Sequence, residues 1–256
     1  MALPDILAVL SGGAVGLILA LIGGGGSILA TPALLYVVGV ANPHIAIGTS
    51  ALAVSANAFA NLINHARRGN VKWPCASVFA VSGVVGAAIG AAIGKLTDAR
   101  VLLPLFAILM IVVGAAMLRP RKDEGDGDVR LSQRNAPKLV GFGLGAGGLS
   151  GFFGIGGGFL IVPGLVAAAN MTMLQAIGSS LLSVGVFGAT TAASYAVDGL
   201  IDWRIAGLFI GGGIIGGAIG AGFATHLARQ RGALQRVFAG VVFAVALYML
   251  YRSFFT

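Results

Sequence analysis

The sequence predicts an all-α polytopic membrane protein built as two inverted repeats, each a glycine-broken helical hairpin followed by three transmembrane helices. Three observations predict it: a composition too apolar for water, two hairpins of short runs interrupted by glycine, and a duplication at nearly constant offset. Of 256 residues, 57% are hydrophobic and only 9% charged, against about 25% charged in an ordinary soluble domain. Apolar runs fill nearly the whole length, and several can cross about 30 Å of hydrocarbon. The lipid bilayer is therefore the first expected partner.

In order, the apolar runs are Ile6–Ile22, Ile28–Val40, Ile45–Asn64, Trp73–Gly94, Val101–Leu118, Leu139–Phe153, Phe159–Ala169, Leu174–Val197, Trp203–Thr225 and Ala233–Tyr251. The segment from Arg119 to Lys138 has a disordered composition and reads as a solvated linker. It separates an N-terminal membrane repeat (1–118) from a C-terminal one (139–256). Ile28–Val40 has 13 residues, about 20 Å of helix against about 30 Å of hydrocarbon. It meets Ile6–Ile22 at Gly23-Gly24-Gly25-Gly26, and Gly154 to Gly158 (GIGGG) separates Leu139–Phe153 from Phe159–Ala169 in the same way. Each glycine costs about 1 kcal/mol relative to alanine inside a helix. Each pair therefore reads as a hairpin whose tip lies at membrane depth, where unwound backbone must be buried in protein or line a watery cavity.

Adding 131 carries Gly16 to Gly147, Gly23 to Gly154, Gly26 to Gly157, Leu29 to Leu160 and Pro32 to Pro163. After the loss of one residue, adding 130 carries Ala46-Ile47-Gly48-Thr49-Ser50 to Ala176-Ile177-Gly178-Ser179-Ser180. The same offset pairs Gly69 with Gly199, Trp73 with Trp203, and Gly83, Gly86 and Gly90 with Gly213, Gly216 and Gly220. Glycine matches alone would be weak in so apolar a chain, but the prolines, tryptophans and the AIG[TS]S string mark a duplication.

Charge placement orients the halves. If each hairpin returns to its starting side, each half crosses three times and the repeats are inverted. One face then holds Arg67, Arg68, Lys72, Arg119, Arg121, Lys122, Arg130, Arg134, Lys138, Arg229, Arg231 and Arg236; the other holds Lys95, Arg100, Arg204 and Arg252, 12 against 4. Parallel halves give only 11 against 5. The stronger bias selects inverted repeats with the linker cytoplasmic and both termini outside. Transporters of this design hold substrate near the midplane, between the repeats.

The net charge of +8 does not indicate nucleic acid, because the cations sit in short segments between apolar runs rather than on one folded face. The N-terminus has no Lys or Arg before Arg67 and carries Asp5, so a cleaved leader is not expected. Cys75 is the single cysteine and has no internal disulfide partner. No Cys/His cluster calls for a metal, no cofactor is expected, and no Ser/His/Asp or Cys/His set suggests an enzyme.

GGGGSILATP and GIGGGFLIVP, each followed by AIGTS or AIGSS and then G-x-h-x-W (Gly69 to Trp73, Gly199 to Trp203), resemble the sulfite exporter TauE/SafE family. The resemblance covers almost the whole chain except the linker, with Ile155 standing in the second glycine run where the first has Gly24. It implies a multi-pass transporter of the bacterial inner membrane, with periplasmic termini, that moves sulfite, sulfonates or related sulfur anions.

The acidic residues Asp5, Asp98, Asp123, Glu124, Asp126, Asp128, Asp198 and Asp202 all fall at the ends of runs or in loops, as an anion pathway requires, since a fixed negative charge in low dielectric repels the substrate. Glycine breaks can supply backbone N–H groups at helix N-termini to an oxyanion. The expected donors are Gly25, Gly26 and Ser27 with Gly156, Gly157 and Gly158, joined by the hydroxyls of Thr49, Ser50, Ser179 and Ser180. Small residues equally permit close helix packing, and Ser and Thr also bond their own helix backbone. Ser50, Asn57, Asn61 and Asn64 share a helical face, with Asn57 and Asn61 placed as substrate contacts; interhelical bonding is the competing role. His65, Arg67 and Arg68 are expected at the cytoplasmic interface, His44 and His226 in loops, Trp73 and Trp203 at headgroup level, and Cys75 as a small buried residue. Export of an anion down the membrane potential needs no coupling ion; the alternative is proton- or cation-coupled uptake of a sulfonate, with His65 or backbone carbonyls at the breaks as coupling elements.

Overall fold

The computed structural model describes residues 3–118, 125–153, 158–227, 240, 243–244, 246–247 and 251, and these are almost wholly helical. Helix α1 (Leu3–Ile22) stops where Gly23 takes a left-handed φ of +72°, a conformation that disfavours any residue with a Cβ. The chain turns back through a 3-10 helix (Gly23–Leu29), one α turn (α2, Ala30–Pro32) and a π-helical stretch (Ala33–Val38), ending at Gly39 with φ +86°. Ser11, Ala14 and Val15 of α1 and Pro32, Ala33 and Tyr36 of this return limb line one apolar cleft of about 310 Å³, so the two limbs face each other as a hairpin. The tip differs from the unwound backbone expected of four glycines. It follows a tight helical path, which the absence of side chains permits.

Helix α3 (Pro43–Arg67) begins at a cap in which Asn42 Oδ1 accepts the His44 N–H at 2.9 Å, with proline in the first turn. Its end is closed by Gly69 at φ +72°, which lets the Asn70 N–H reach the His65 carbonyl at 3.1 Å. Helices α4 (Trp73–Leu96) and α5 (Ala99–Leu118) complete the first half. The second half repeats the order with α6 (Ala136–Phe153), α7 (Gly158–Ala169), α8 (Met173–Val197) and α9 (Trp203–Leu227). Gly199, at φ +69°, closes α8 as Gly69 closes α3. The described helices include five that are long and apolar enough to cross a membrane, in α1, α3, α4, α8 and α9. The final expected run, Ala233–Tyr251, lies mostly outside the described residues, as do Gly154 to Gly157.

The halves are interlocked. After α3 the chain leaves its own half and α4 packs along α6; after α8 it does the reverse and α9 packs along α1. Both exchanged pairs run parallel, with glycine against backbone. A Cβ on Gly16 would overlap the Gly213 carbonyl and one on Gly216 the Gly13 carbonyl; in the other pair, Gly147 meets the Gly83 carbonyl and Gly90 the Gly148 carbonyl. In lipid, where apolar side chains gain little by leaving the solvent, such close backbone approach is a principal source of helix association. It also explains why the periodic glycines recur in both copies.

Helices α3 and α8 cross antiparallel at the centre, with the Ser55 hydroxyl donating to the Gly185 carbonyl at 2.6 Å. Large apolar residues point outward along α4 (Val81, Val85, Ile89, Ile93), α5 (Ile108, Val112) and α9 (Ile215, Ile219), the surface a bilayer would cover.

Part of the linker is anchored to the helices, although most of its described residues remain exposed to solvent. Gly125, at φ +84°, lets the chain lie against Met171, the Asp126 N–H donates to the Asn170 carbonyl at 2.8 Å, and Gln175 Nε2 donates to the Gly127 carbonyl at 2.6 Å. Val129 is buried, and Ser132 and Asn135 exchange capping bonds ahead of α6. Composition suggested disorder because the anchoring groups are mostly backbone, and composition does not register them.

Candidate transport site

The tip of the first hairpin is driven into the second half. A Cβ on Gly23 would stand 3.0 Å from Ile177 Cα, Ile177 Cγ2 and Ser180 Oγ, and the 3-10 segment packs along α7 and α8. Ser180 is the eighth residue of α8, so the tip sits about 10 Å along that helix. On the return limb, Thr31 Oγ1 lies 2.8 Å from Ser50 Oγ, with both side chains buried. Ser50 also donates to the Ile47 carbonyl at 2.9 Å, and Ser180 to the Ile177 carbonyl at 2.7 Å. The first hairpin, α3 and α8 thus bring Ser27, Thr31, Ser50 and Ser180 into the protein interior, all essentially inaccessible to solvent.

Inside a 3-10 helix each N–H beyond the first turn bonds the carbonyl three residues back. Gly25 lies in that first turn, whereas Gly26 and Ser27 lie further along. In the second half Gly158 opens α7, and Gly156 and Gly157 are outside the described residues.

Thr49 and Ser179 act differently from their neighbours. The Thr49 hydroxyl accepts the Asp202 N–H at 2.9 Å, just before α9, and the Ser179 hydroxyl accepts the Lys72 N–H at 2.9 Å, just before α4. Beside them Gly48 lies against the Leu200 carbonyl and Gly178 against that of Asn70. The AIG[TS]S string is therefore a clasp, repeated reciprocally, that docks the start of α3 and α8 on the turn leading to the exchanged helix.

Further along α3, Asn57 and Asn61 are buried against α9: their side chains occupy the space beside Gly213 and Gly217. Asn61 Nδ2 donates to the Asn57 carbonyl at 3.0 Å, while Asn64 is only half-buried. His65 is buried among the helices near the end of α3. It is 2% exposed with Nε2 3.4 Å from the Ala20 carbonyl, whereas Arg67 and Arg68 are exposed. The α3 face carrying His65, in helical phase with Asn57 and Asn61, turns toward α1. His44 is also no free loop residue, since its ring stacks on Tyr195 with centroids 6.4 Å apart. Trp73 and Trp203 are exposed at helix starts, and Cys75 is buried.

Among the described residues the acidic groups stay at helix ends or in the linker. Asp5 pairs with Arg204 at 2.7 Å and Asp198 with Lys95 at 2.6 Å, which neutralises two of the cations on the face opposite the linker. Among the described residues the buried polar groups are hydroxyls, amides, the His65 imidazole and the Arg204-paired carboxylate of Asp5.

A model of the family described as "Sulfite exporter TauE/SafE" matches residues 8–249. The chain belongs to this family. A probable membrane transporter protein of Xylella fastidiosa (strain 9a5c) is 53% identical over 249 residues, covering 97% of this chain and 95% of that one. The probable membrane transporter proteins YunE of Bacillus subtilis and MJ0441 of Methanocaldococcus jannaschii are 25% and 29% identical, over 98% and 78% of this chain and 99% and 72% of theirs. No solved structure matches significantly.

In this TauE/SafE chain the sequence motifs and the buried polar groups coincide only in part. Thr31, Ser55, Ser150, Ser183 and Thr191 are all buried polar residues that motif reading did not select as site residues. For Thr31 the signal was present: it is the last residue before Pro32, four after Ser27, on a limb too short to span the bilayer.

Proposed function

We propose that the chain moves small sulfur-containing anions, sulfite or an organosulfonate, through a site near the membrane midplane between two inverted repeats, exporting them across the bacterial inner membrane. The observation that carries this reading is the glycine tip of the first hairpin, buried against Ile177 and Ser180 of the other half, in a chain of the TauE/SafE family. The antiparallel crossing of α3 and α8 supports inverted rather than parallel halves, because parallel halves would make these two equivalent helices run the same way. The positive-inside bias supports a cytoplasmic linker and periplasmic termini. The buried carboxylate among the described residues, Asp5, lies in the first turn of α1 and is paired with Arg204, which supports an interior that does not repel an anion. The family's description names sulfite; the hydroxyl and amide lining favours a small oxyanion or sulfonate of that class.

An anion leaving a negative cytoplasm gains about 2.3 kcal/mol per charge per 100 mV, so export needs no coupling ion. Purified protein in liposomes should pass sulfite or a sulfonate at a rate that rises with an imposed outward driving potential. Flux indifferent to potential, with a pH gradient driving accumulation instead, would favour the second reading, proton-coupled uptake. That reading draws on buried His65, whose Nδ1 has no hydrogen-bond partner.

A further inference from the structure

Asn57 is buried with 0% exposure, and neither its Nδ2 nor its Oδ1 has a hydrogen-bond partner. The carboxamide fills a notch above Gly213 of α9, at the point where Gly16 brings α1 against the same glycine. It therefore stands where α1, α3 and α9 meet, two helical turns beyond Ser50 on the same face of α3. Burying an amide without partners is costly.

The duplication supplies an internal control for what the fold requires there. Adding 130 to 57 gives Phe187. Its ring fills the matching notch above Gly83 and stacks on Phe79 with centroids 6.4 Å apart. One architecture thus accepts an apolar ring in one copy and an unpaired carboxamide in the other. Packing asks for a side chain that fills the notch; it does not ask for an amide. The difference extends along the helices, since Asn61 and His65 correspond to Thr191 and Tyr195.

A carboxamide offers donors and an acceptor together. A fully deprotonated oxyanion has acceptors alone, so it can satisfy Nδ2 but sets its own lone pairs against Oδ1. A ligand that also carries an O–H or N–H satisfies both atoms. We propose that Asn57 is a specificity-determining residue that selects sulfur anions bearing a hydrogen-bond donor, such as hydrogensulfite or a hydroxy- or amino-substituted sulfonate, over anions that have none. This rests on the transport function proposed above and narrows its substrate class.

The test uses a matched pair, ethanesulfonate and 2-hydroxyethanesulfonate, with binding measured calorimetrically on the purified full chain and flux measured in liposomes. The wild-type protein is expected to favour the hydroxylated member by about ten-fold or more. Asn57→Leu should bind the two members within about two-fold while still taking ethanesulfonate, and Asn57→Thr, which keeps a group that both donates and accepts, should retain the preference. Equal wild-type affinity for the pair, or a preference that survives in Asn57→Leu, overturns the assignment. Should Asn57→Leu fail to fold, the wild-type ratio and Asn57→Thr decide it: loss of preference in the threonine variant counts against the proposal. If the wild-type protein binds and passes neither sulfonate nor sulfite, the transport reading itself is lost and this inference with it.

Discussion

Replacing Gly23 by alanine tests whether the hairpin tip presses on the opposite half, because the fold contains two glycines that serve as matched controls. Gly23, Gly69 and Gly199 share one backbone conformation, with φ of +72°, +72° and +69°. Alanine at any of them meets the left-handed penalty of about 1–2 kcal/mol. At Gly69 and Gly199 nothing lies within 4 Å of the added Cβ, whereas at Gly23 three atoms of Ile177 and Ser180 lie at 3.0 Å. One of those is the Ile177 Cα, which cannot rotate aside. Overpacking of this kind costs about 1–3 kcal/mol, so Gly23→Ala should lose roughly 2–5 kcal/mol where its two controls lose only the conformational part. Reversible unfolding of the purified protein in denaturing detergent, run side by side on the three variants, gives the difference. If Gly23→Ala costs no more than Gly69→Ala and Gly199→Ala, the tip does not bear on α8 and the geometry of the central site is wrong.

Other consequences can be checked with the same preparation. Thr49→Val and Ser179→Ala each leave a backbone N–H without its acceptor and should each cost about 1–3 kcal/mol of stability; the double variant should be close to additive, because the two clasps share no partner. Gly90→Leu and Gly216→Leu would drive a side chain into the Gly148 and Gly13 carbonyls, and should abolish recovery of monodisperse protein on size-exclusion chromatography. Asn57→Asp puts a carboxylate on the proposed anion path, and flux should fall by at least about ten-fold at a pH where it is ionised. Lys95→Ala removes an ion pair whose Asp198 side chain is 45% exposed, and unfolding should shift by no more than about 1 kcal/mol.

Much of the architecture was legible in the sequence because membrane helices are written in long apolar runs. The expected run Trp73–Gly94 became α4, Trp73–Leu96, and Leu174–Val197 became α8 with one residue added. The glycine breaks announced a hairpin, but glycine marks only permission to bend. It did not distinguish an unwound loop from the 3-10 path that Gly23–Leu29 takes. The exchange of α4 and α9 between halves was not legible at all, since periodic glycines show that a face packs closely without saying against which partner. The same blindness hid a further role of Thr49 and Ser179. Their spacing placed them beside Ser50 and Ser180, yet their acceptors engage N–H groups of Asp202 and Lys72, residues far away in sequence. His65 ends the α3 stripe of Asn57 and Asn61 beside Arg67 and Arg68, and its helical phase with the two asparagines is what buries it.

The most direct measurement of the central claim is the reaction of single cysteines with a small charged thiol reagent in intact membranes. In a Cys75→Ala background, Ser180→Cys and Thr31→Cys place the thiol beside the hairpin tip and on its return limb, while Val85→Cys places it on the outward face of α4, where the side chain is 55% exposed without lipid. A water-reachable pathway between the halves predicts reaction at the two buried positions, slowed by an excess of 2-hydroxyethanesulfonate, and none at the exposed but lipid-covered one. Silent thiols at both interior positions, or labelling there that a saturating sulfonate leaves untouched, would contradict it.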